Sequence, residues 1–306
     1  MEYGRIDNID KDISRIFMGS MAADSPEAAD RIYGHFLERG GNAFDTAYIY
    51  RGGESEKLLG EWIERHGLRD EVVILGKGAH TPHCTPKGLN KELKKSLKRL
   101  RTDHVDIYML HRDNPEVPVG EFVDAVNEHI AAGRIGAWGG SNWDFRRVDA
   151  ANAYAREHGL RGMAALSNNF SLARMVEPVW DGCIASSEPA YREWHVRTRT
   201  PLIAWSSQAR GFFTERAHPD KRSDEQLVRS WYSEDNFRRQ ARAREMAARK
   251  GVEPINVALA YVLCQPFPTF PIIGPENTEE TESSLVALDV ELSPEELDWL
   301  NLESEE

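Results

Sequence analysis

The sequence predicts a single α/β domain, a closed (β/α)8 TIM barrel. Eight short apolar, β-branched runs alternate with longer segments of helical period along the 306 residues. Strand-then-helix repetition gives parallel strands joined by right-handed crossovers. The length suits a barrel of roughly 250 residues with loop insertions. An open doubly wound sheet would carry the phosphate fingerprint GxGxxG, which is absent.

The first strand is expected over Arg15–Gly19, followed by a helix over Pro26–Arg39. The second, Asn42–Asp45, leads into a helix over Glu54–Arg65, and the third, Glu71–Lys77, into one over Pro86–Leu100. The fourth and fifth strands, His104–His111 and Ile135–Gly140, precede helices over Val119–Ala132 and Arg146–His158. The sixth and seventh are expected over Gly162–Ser167 and Pro201–Trp205. After the seventh comes the longest irregular stretch, Ser206–Gln226, of a length usually functional or mobile. Helices over Asn236–Lys250 and Pro254–Cys264 precede the eighth strand, Phe270–Gly274, and a helix over Thr278–Leu288 follows it. A last helix, Ser293–Leu302, has Ser293 as N-cap and Glu295 and Glu296 in its first turn, and is expected on the barrel exterior. No low-complexity linker or composition shift divides the chain, so residues 1–306 are expected to form one domain.

Composition narrows the function classes. Apolar residues make up 41% of the chain, enough for a sizeable core. The net charge of −12 argues against nucleic acid and anionic membrane as partners. Cys84, Cys183 and Cys264 are widely spaced, with no CxxC or metal spacing, so neither a disulfide framework nor a metal site is expected. No apolar stretch reaches the roughly 18 residues of a membrane span, and no signal-peptide pattern opens the chain. A cytoplasmic location is the simplest expectation.

The polar residues of interest fall at strand C-termini. Asp45 ends the second strand, with Tyr50 in the loop beyond it; Lys77 ends the third, His111 the fourth, and Ser141 and Asn142 the fifth. In a parallel barrel these ends meet at one face. Alone, each has an ordinary explanation as a turn former, packing residue or solvated group. Together they suit carbonyl reduction, which needs a hydride on carbon and a proton on the developing alkoxide. A tyrosine hydroxyl, with a reference pKa of about 10, is a reluctant donor near neutrality. A neighbouring ammonium favours the phenolate and lowers that value. A buried ammonium needs a compensating carboxylate, which Asp45 can supply to Lys77. His111 can orient the substrate oxygen. No side chain supplies hydride, so a cofactor must.

The stretch from Gly41 through Asp45 to Tyr50, continuing from Gly53 through Glu54 and Glu56 to Gly60, resembles the signature of the aldo-keto reductases. Asp106–His111 and Gly139–Asn142 resemble the same family's fourth and fifth strand ends, and the similarity runs from about Ile16 to Leu302. The resemblance implies Tyr50 as general acid, Lys77 and Asp45 as its tuning pair, and His111 as substrate orienter. It implies Ser141 and Asn142 as holders of a nicotinamide carboxamide and Trp205 as the ring stacked on the nicotinamide. The family's usual glutamine at the end of the sixth strand is replaced by Ser167, with Asn168 as an alternative amide. The loop that includes Ser206, Gln208 and Arg210 suits a pyrophosphate.

The adenosine end departs most from the family. Beyond the eighth strand, where the family typically offers basic residues to the 2′-phosphate of NADP(H), this chain has Gly274, Glu276, Asn277 and Glu280, with Glu276 and Glu280 where cations often sit. The helix start can still receive a phosphate. Carboxylates there repel one while accepting bonds from ribose hydroxyls. NADP(H) is therefore the cofactor the family implies, and Glu276 and Glu280 leave NAD(H) open. Trp143, Arg112, Trp180, Asp181 and His80 are candidate pocket residues, and Trp beside polar groups suits a small-molecule carbonyl of sugar-like kind. A rival reading is a nicotinamide-binding regulatory subunit of another protein with little turnover. A third, a barrel hydrolase or isomerase using Asp45 and His111, would leave Tyr50, Lys77, Ser141 and Asn142 unexplained.

Overall fold

The computed structural model describes residues 1–305. Eight parallel strands close into a barrel in the order β10-β3-β4-β5-β6-β7-β8-β9. They are β3 (Phe17–Gly19), β4 (Ala43–Asp45), β5 (Val73–Gly78), β6 (Val105–Leu110), β7 (Ile135–Ser141), β8 (Ala165–Ser167), β9 (Leu202–Ala204) and β10 (Thr269–Ile273). Every strand expected from the sequence forms, with ends that differ by a few residues. A short antiparallel pair, β1 (Tyr3–Gly4) and β2 (Ile13–Ser14), precedes the barrel. Two-residue strands are too short to leave a periodicity, so nothing in the sequence marks them.

The chain forms two compact units. The first comprises Met1–Ser167 with Gly274–Thr278. It holds β1–β8 and the helices α1 (Pro26–Glu38), α2 (Glu54–His66), α3 (Pro86–Arg99), α4 (Val119–Ala131) and α5 (Phe145–Glu157). Side-chain caps start several of them: Ser25 accepts from the Ala28 amide, Thr85 from Gly88 and Asp144 from Arg146. Pro26 and Pro86 sit in the first turn, where a missing N–H costs nothing. Between the strands and α1 and α2, Phe44 meets Tyr33, Phe36 and Trp62 at centroid distances of 5.5–5.8 Å. Each such pair adds about 0.5–1.5 kcal/mol beyond burial. In β7, Gly139 lets neighbouring backbone approach, since a Cβ there would lie 2.1 Å from the Ala165 carbonyl oxygen. Buried Asp106 accepts from the Ile74 amide and pairs with Lys11 and Arg69, both at 3.0 Å.

The second unit comprises Asn168–Ile273 and the residues from Glu279 onward. It holds β9, β10, α6 (Pro189–Thr198), α7 (Glu225–Trp231), α8 (Glu234–Lys250), α9 (Pro254–Leu263), most of α10 (Thr278–Val286), and α11 (Pro294–Leu300). Helices α6 and α7 are additions to the expected series. Only Trp194 and His195 of α6 are buried, too sparse an apolar stripe to read, and α7 is seven residues long. At α11, Ser293 and Glu296 form the capping box that the Ser293 start suggests. Within the same unit Arg239 donates to the Asn301 carbonyl at 3.3 Å and Arg192 pairs with Glu303.

Candidate active site

In the first unit, pairing register brings strand C-termini to a common level: Gly19 faces Asp45, Lys77 faces Met109, and Ser141 faces Ser167. Backbone bonds beyond the strands tie each loop to the next strand. The Thr46 amide donates to the Leu75 carbonyl, Tyr48 to Lys77 and His111 to Gly78, at 2.7–2.8 Å. Asp45, Lys77 and the Tyr50 loop are thus held together by main-chain geometry before side chains contribute.

The Lys77 ammonium is the hub. It ion-pairs with Asp45 and donates to the Tyr50 hydroxyl and the Thr46 carbonyl, both at 3.2 Å. The Lys77 and Asp45 side chains are 2% and 4% exposed, so water screens their attraction little. Burial works against the ammonium, but the charges of Asp45 and Tyr50 and their hydrogen bonds outweigh it and hold the Lys77 pKa above its ordinary value. Burial pushes the Asp45 carboxyl up, opposed by Lys77.

Tyr50 departs from the expected lowering. Burial raises the pKa of its hydroxyl above the usual 10, Lys77 opposes that rise, and Asp45 reinforces it. The ammonium does favour the phenolate, yet loss of hydration is the larger effect. A tyrosine in this setting keeps its proton until something else accepts it. The His111 ring lies edge-on to Tyr50 at 5.8 Å. Its pKa falls well below the ordinary value through burial, then through Lys77, His80 and Arg112. The imidazole is neutral at physiological pH, and its buried Nδ1 has no hydrogen-bond partner among the described residues. His80 lies edge-on to His111 at 5.0 Å, on the loop after β5. Arg112 is buried and donates to the His111 carbonyl at 3.0 Å.

Ser141 and Asn142 are buried at the end of β7. Asn142 adopts φ 58°, donates its amide N–H to the Ser167 carbonyl at 3.0 Å, and points its Nδ2 at the Ser141 hydroxyl at 3.2 Å. The Ser167 hydroxyl is buried with no hydrogen-bond partner. Trp143 follows Asn142 directly. It is fully buried against Phe122 at 5.9 Å, and a Cβ on Gly140 would meet its ring at 2.5 Å. Glu276 is exposed and Asn277 half-buried just before α10, next to exposed Gly274.

In the second unit Asn168 and Asn169 are buried, and Asn169 donates its side-chain amide to the Trp205 carbonyl at 3.1 Å. Half-buried Trp205 has a buried indole N–H without a partner and lies 5.9 Å from the half-exposed Trp180 ring. Ser206, Ala209, Arg210 and Gly211 all take positive φ, a run of turns suited to aiming backbone N–H groups at an anion. Gln208 reaches Ser284 of α10 at 3.3 Å, and Glu280 is exposed in the first turn of α10.

These residues also fit a dinucleotide. Burial, then the neighbouring Arg216, pushes the Arg210 pKa down. Arg216 pairs with Asp224 at 2.5 Å, leaving Arg210 without an ion pair of its own among the described residues. A half-buried cation in that position suits a phosphate anion. Among the described residues, no group of three or more His, Cys, Asp or Glu side chains is arranged to hold a metal ion. No helix among them is long and apolar enough to cross a membrane.

The chain is 28% identical to the uncharacterized oxidoreductase YrpG of Bacillus subtilis, over 98% of this chain and 95% of that one. It is 30% identical to norsolorinic acid reductase stcV of Emericella nidulans, over 91% and 72% of the two chains. It is 29% identical to the aryl-alcohol dehydrogenase [NADP(+)] of Phanerodontia chrysosporium, over 93% and 77%. Its fold matches the crystal structure of the thermostable aldo-keto reductase Tm1743 in complex with the inhibitor epalrestat, with a TM-score of 0.76 and 23% identity over 99% and 100% of the chains. The model of the aldo/keto reductase family matches residues 15–301, and the chain belongs to that family.

Proposed function

We propose that this protein is an NAD(P)(H)-dependent oxidoreductase that reduces an aldehyde or ketone to the alcohol, working as one catalytic domain. The observation that carries the proposal is the chain of contacts from Asp45 through Lys77 to the Tyr50 hydroxyl, with neutral His111 beside it. A nicotinamide held at this site would supply the hydride. Tyr50 then donates its proton to the developing alkoxide, the one strong base that the step creates. Lys77, held charged by Asp45, stabilises the phenolate left behind. His111, as an uncharged donor, orients the substrate oxygen without competing for the proton. Proton transfer of this kind contributes about 10²–10⁴-fold to a rate.

Ser141 and Asn142, with Ser167 or Asn168, are proposed to hold the nicotinamide carboxamide. Trp205 is proposed to stack on its ring, and Ser206, Gln208 and Arg210 to cover the pyrophosphate. Gly274, Glu276, Asn277 and Glu280 are proposed to meet the adenosine end. A relative named as an NADP(+) enzyme supports NADP(H), while Glu276 and Glu280 weaken that preference.

A relative named aryl-alcohol dehydrogenase favours an aryl carbonyl over the sugar-like one. Ile49, 41% exposed and directly before Tyr50, supports the same choice. The test is oxidation of NADPH and NADH, side by side, with aromatic aldehydes and aldoses. Turnover fastest with an aromatic aldehyde is expected. Binding of neither cofactor would overturn the proposal.

A further inference from the structure

We infer that Arg99, at the end of α3, is a positioning residue for Tyr50: its guanidinium brackets the Tyr50 loop from behind and is itself held by the buried carboxylate of Glu56. This rests on the proposed role of Tyr50.

The loop needs bracing. Arg51, Gly52 and Gly53 take φ of 49°, 66° and 99° in succession. Positive φ is costly for Arg51, the one residue of the three with a Cβ, and the turn bonds from the Tyr50 amide to the Ala47 carbonyl and from the Gly52 amide to the Ile49 carbonyl leave the Tyr48 and Gly52 carbonyls for a side-chain donor. Arg99 supplies the support. Its Nη1 donates to the Tyr48 carbonyl at 2.9 Å and its Nη2 to the Gly52 carbonyl at 3.2 Å. Those carbonyls lie two residues to either side of Tyr50. The same Nη1 donates to Glu56 Oε2 at 2.8 Å, and the guanidinium carbon sits 4.5 Å from the centre of the Tyr48 ring.

The bracket is anchored at both ends. Glu56 is 0% exposed and the Arg99 side chain 10%, so neither charge is satisfied by water. Helices α2 and α3 meet closely where a Cβ on Gly60 would lie 2.6 Å from the Leu100 backbone, which sets the position of Arg99 next to it. Gly53 leaves room for the guanidinium, since a Cβ there would sit 2.1 Å from Arg99 Cζ. A planar fork can reach three acceptors in this arrangement. A lysine ammonium can keep the charge opposite Glu56 but cannot hold the same fork geometry.

The test compares Arg99→Met and Arg99→Lys with wild type in two measurements on the full chain. In turnover, the folded Arg99→Met variant is expected to lose about 10–100-fold in kcat, the scale of a displacement of about 1 Å. Arg99→Lys is expected to lose less, and cofactor affinity to stay unchanged in both. In the Tyr50→Phe background the same substitutions are expected to change kcat little, because the group they position is gone. The second measurement does not depend on turnover: 19F NMR of protein carrying 3-fluorotyrosine, with the Tyr50 resonance assigned by its loss in Tyr50→Phe. That resonance is expected to move toward the exposed-tyrosine position in Arg99→Lys and further in Arg99→Met. If Arg99→Met does not fold, Arg99→Lys decides alone. Wild-type kcat together with an unmoved Tyr50 resonance in a folded variant would overturn the bracket, whatever its effect on melting temperature. Absence of carbonyl reduction by the wild type would count against the reductase reading alone, since the resonance still reports on the loop.

Discussion

Replacing Asp45 with Asn should produce a stability loss whose size depends on pH in a calculable way. In the wild type Lys77 keeps its proton in the fold because Asp45 and Tyr50 outweigh burial. Without the carboxylate charge, burial dominates and the Lys77 pKa falls below its unfolded value. The neutral amine can still donate to the Thr46 carbonyl and the Tyr50 hydroxyl, so it has partners in that form. The cost is then that of deprotonating a lysine of unfolded pKa about 10.4. That is about 1.4 kcal/mol per pH unit, with an upper limit of about 4.6 kcal/mol at pH 7 that is reached when burial carries the folded pKa below 7. The figure agrees with the roughly 3–5 kcal/mol of breaking a buried ion pair. The sign follows from proton counting. The unfolded variant binds a proton at Lys77 that the folded variant lacks, so the variant gains stability as pH rises towards 10. In the wild type both states hold that proton over this range. The gap between the two proteins should therefore shrink from at most about 4.6 kcal/mol at pH 7 to at most about 1.2 kcal/mol at pH 9.5. Urea unfolding of both at the two pH values measures it. A gap below about 1 kcal/mol at pH 7, or one that does not narrow with pH, would refute the reasoning.

Two further outcomes are expected away from Lys77. His195, buried with its Nδ1 against the Thr200 carbonyl at 2.8 Å, has its pKa pushed down to about 4, mainly by burial. A depressed histidine pKa means stability is lost as pH falls through the unfolded value near 6.5, here about 2 kcal/mol by pH 5. His195→Asn should remove most of that dependence in unfolding curves at pH 7 and 5, and an unchanged dependence would assign it to other groups. Glu276→Arg should raise NADPH affinity relative to NADH if Glu276 meets the ribose as proposed, because a repelling charge is then replaced with an attracting one. Titration of both cofactors checks this, and an unchanged ratio would place Glu276 away from the ribose.

The eight strands and the group around Lys77 were readable because strand-end residues in a parallel barrel converge whatever their separation in sequence. Asp45, Tyr50 and Lys77 meet as expected, with His111 at ring contact. The direction of the Tyr50 pKa was not readable. It depends on how completely the folded chain strips water from the phenol, which no motif encodes. The packing of Trp143 against Phe122 is likewise a property of the fold that its place after Asn142 does not encode. Arg99 was missed for a simpler reason: a basic residue in the last turn of a helix usually serves the helix dipole in water. Only the fold reveals the Tyr48 and Gly52 carbonyls and the buried Glu56 around it. The α6 and α7 segments stayed unread because one is sparsely buried and the other short.

Single-turnover reduction of an aromatic aldehyde by the wild type and by Tyr50→Phe, with cofactor binding measured in parallel, isolates the contribution of the Tyr50 hydroxyl to proton delivery. Removing one hydroxyl from Tyr50 should leave cofactor affinity within about twofold and lower the rate of the chemical step by about 10²-fold or more. A Tyr50→Phe enzyme that reduces the aldehyde at near wild-type rate would contradict the claim that Tyr50, held by Lys77 and Asp45, delivers the proton.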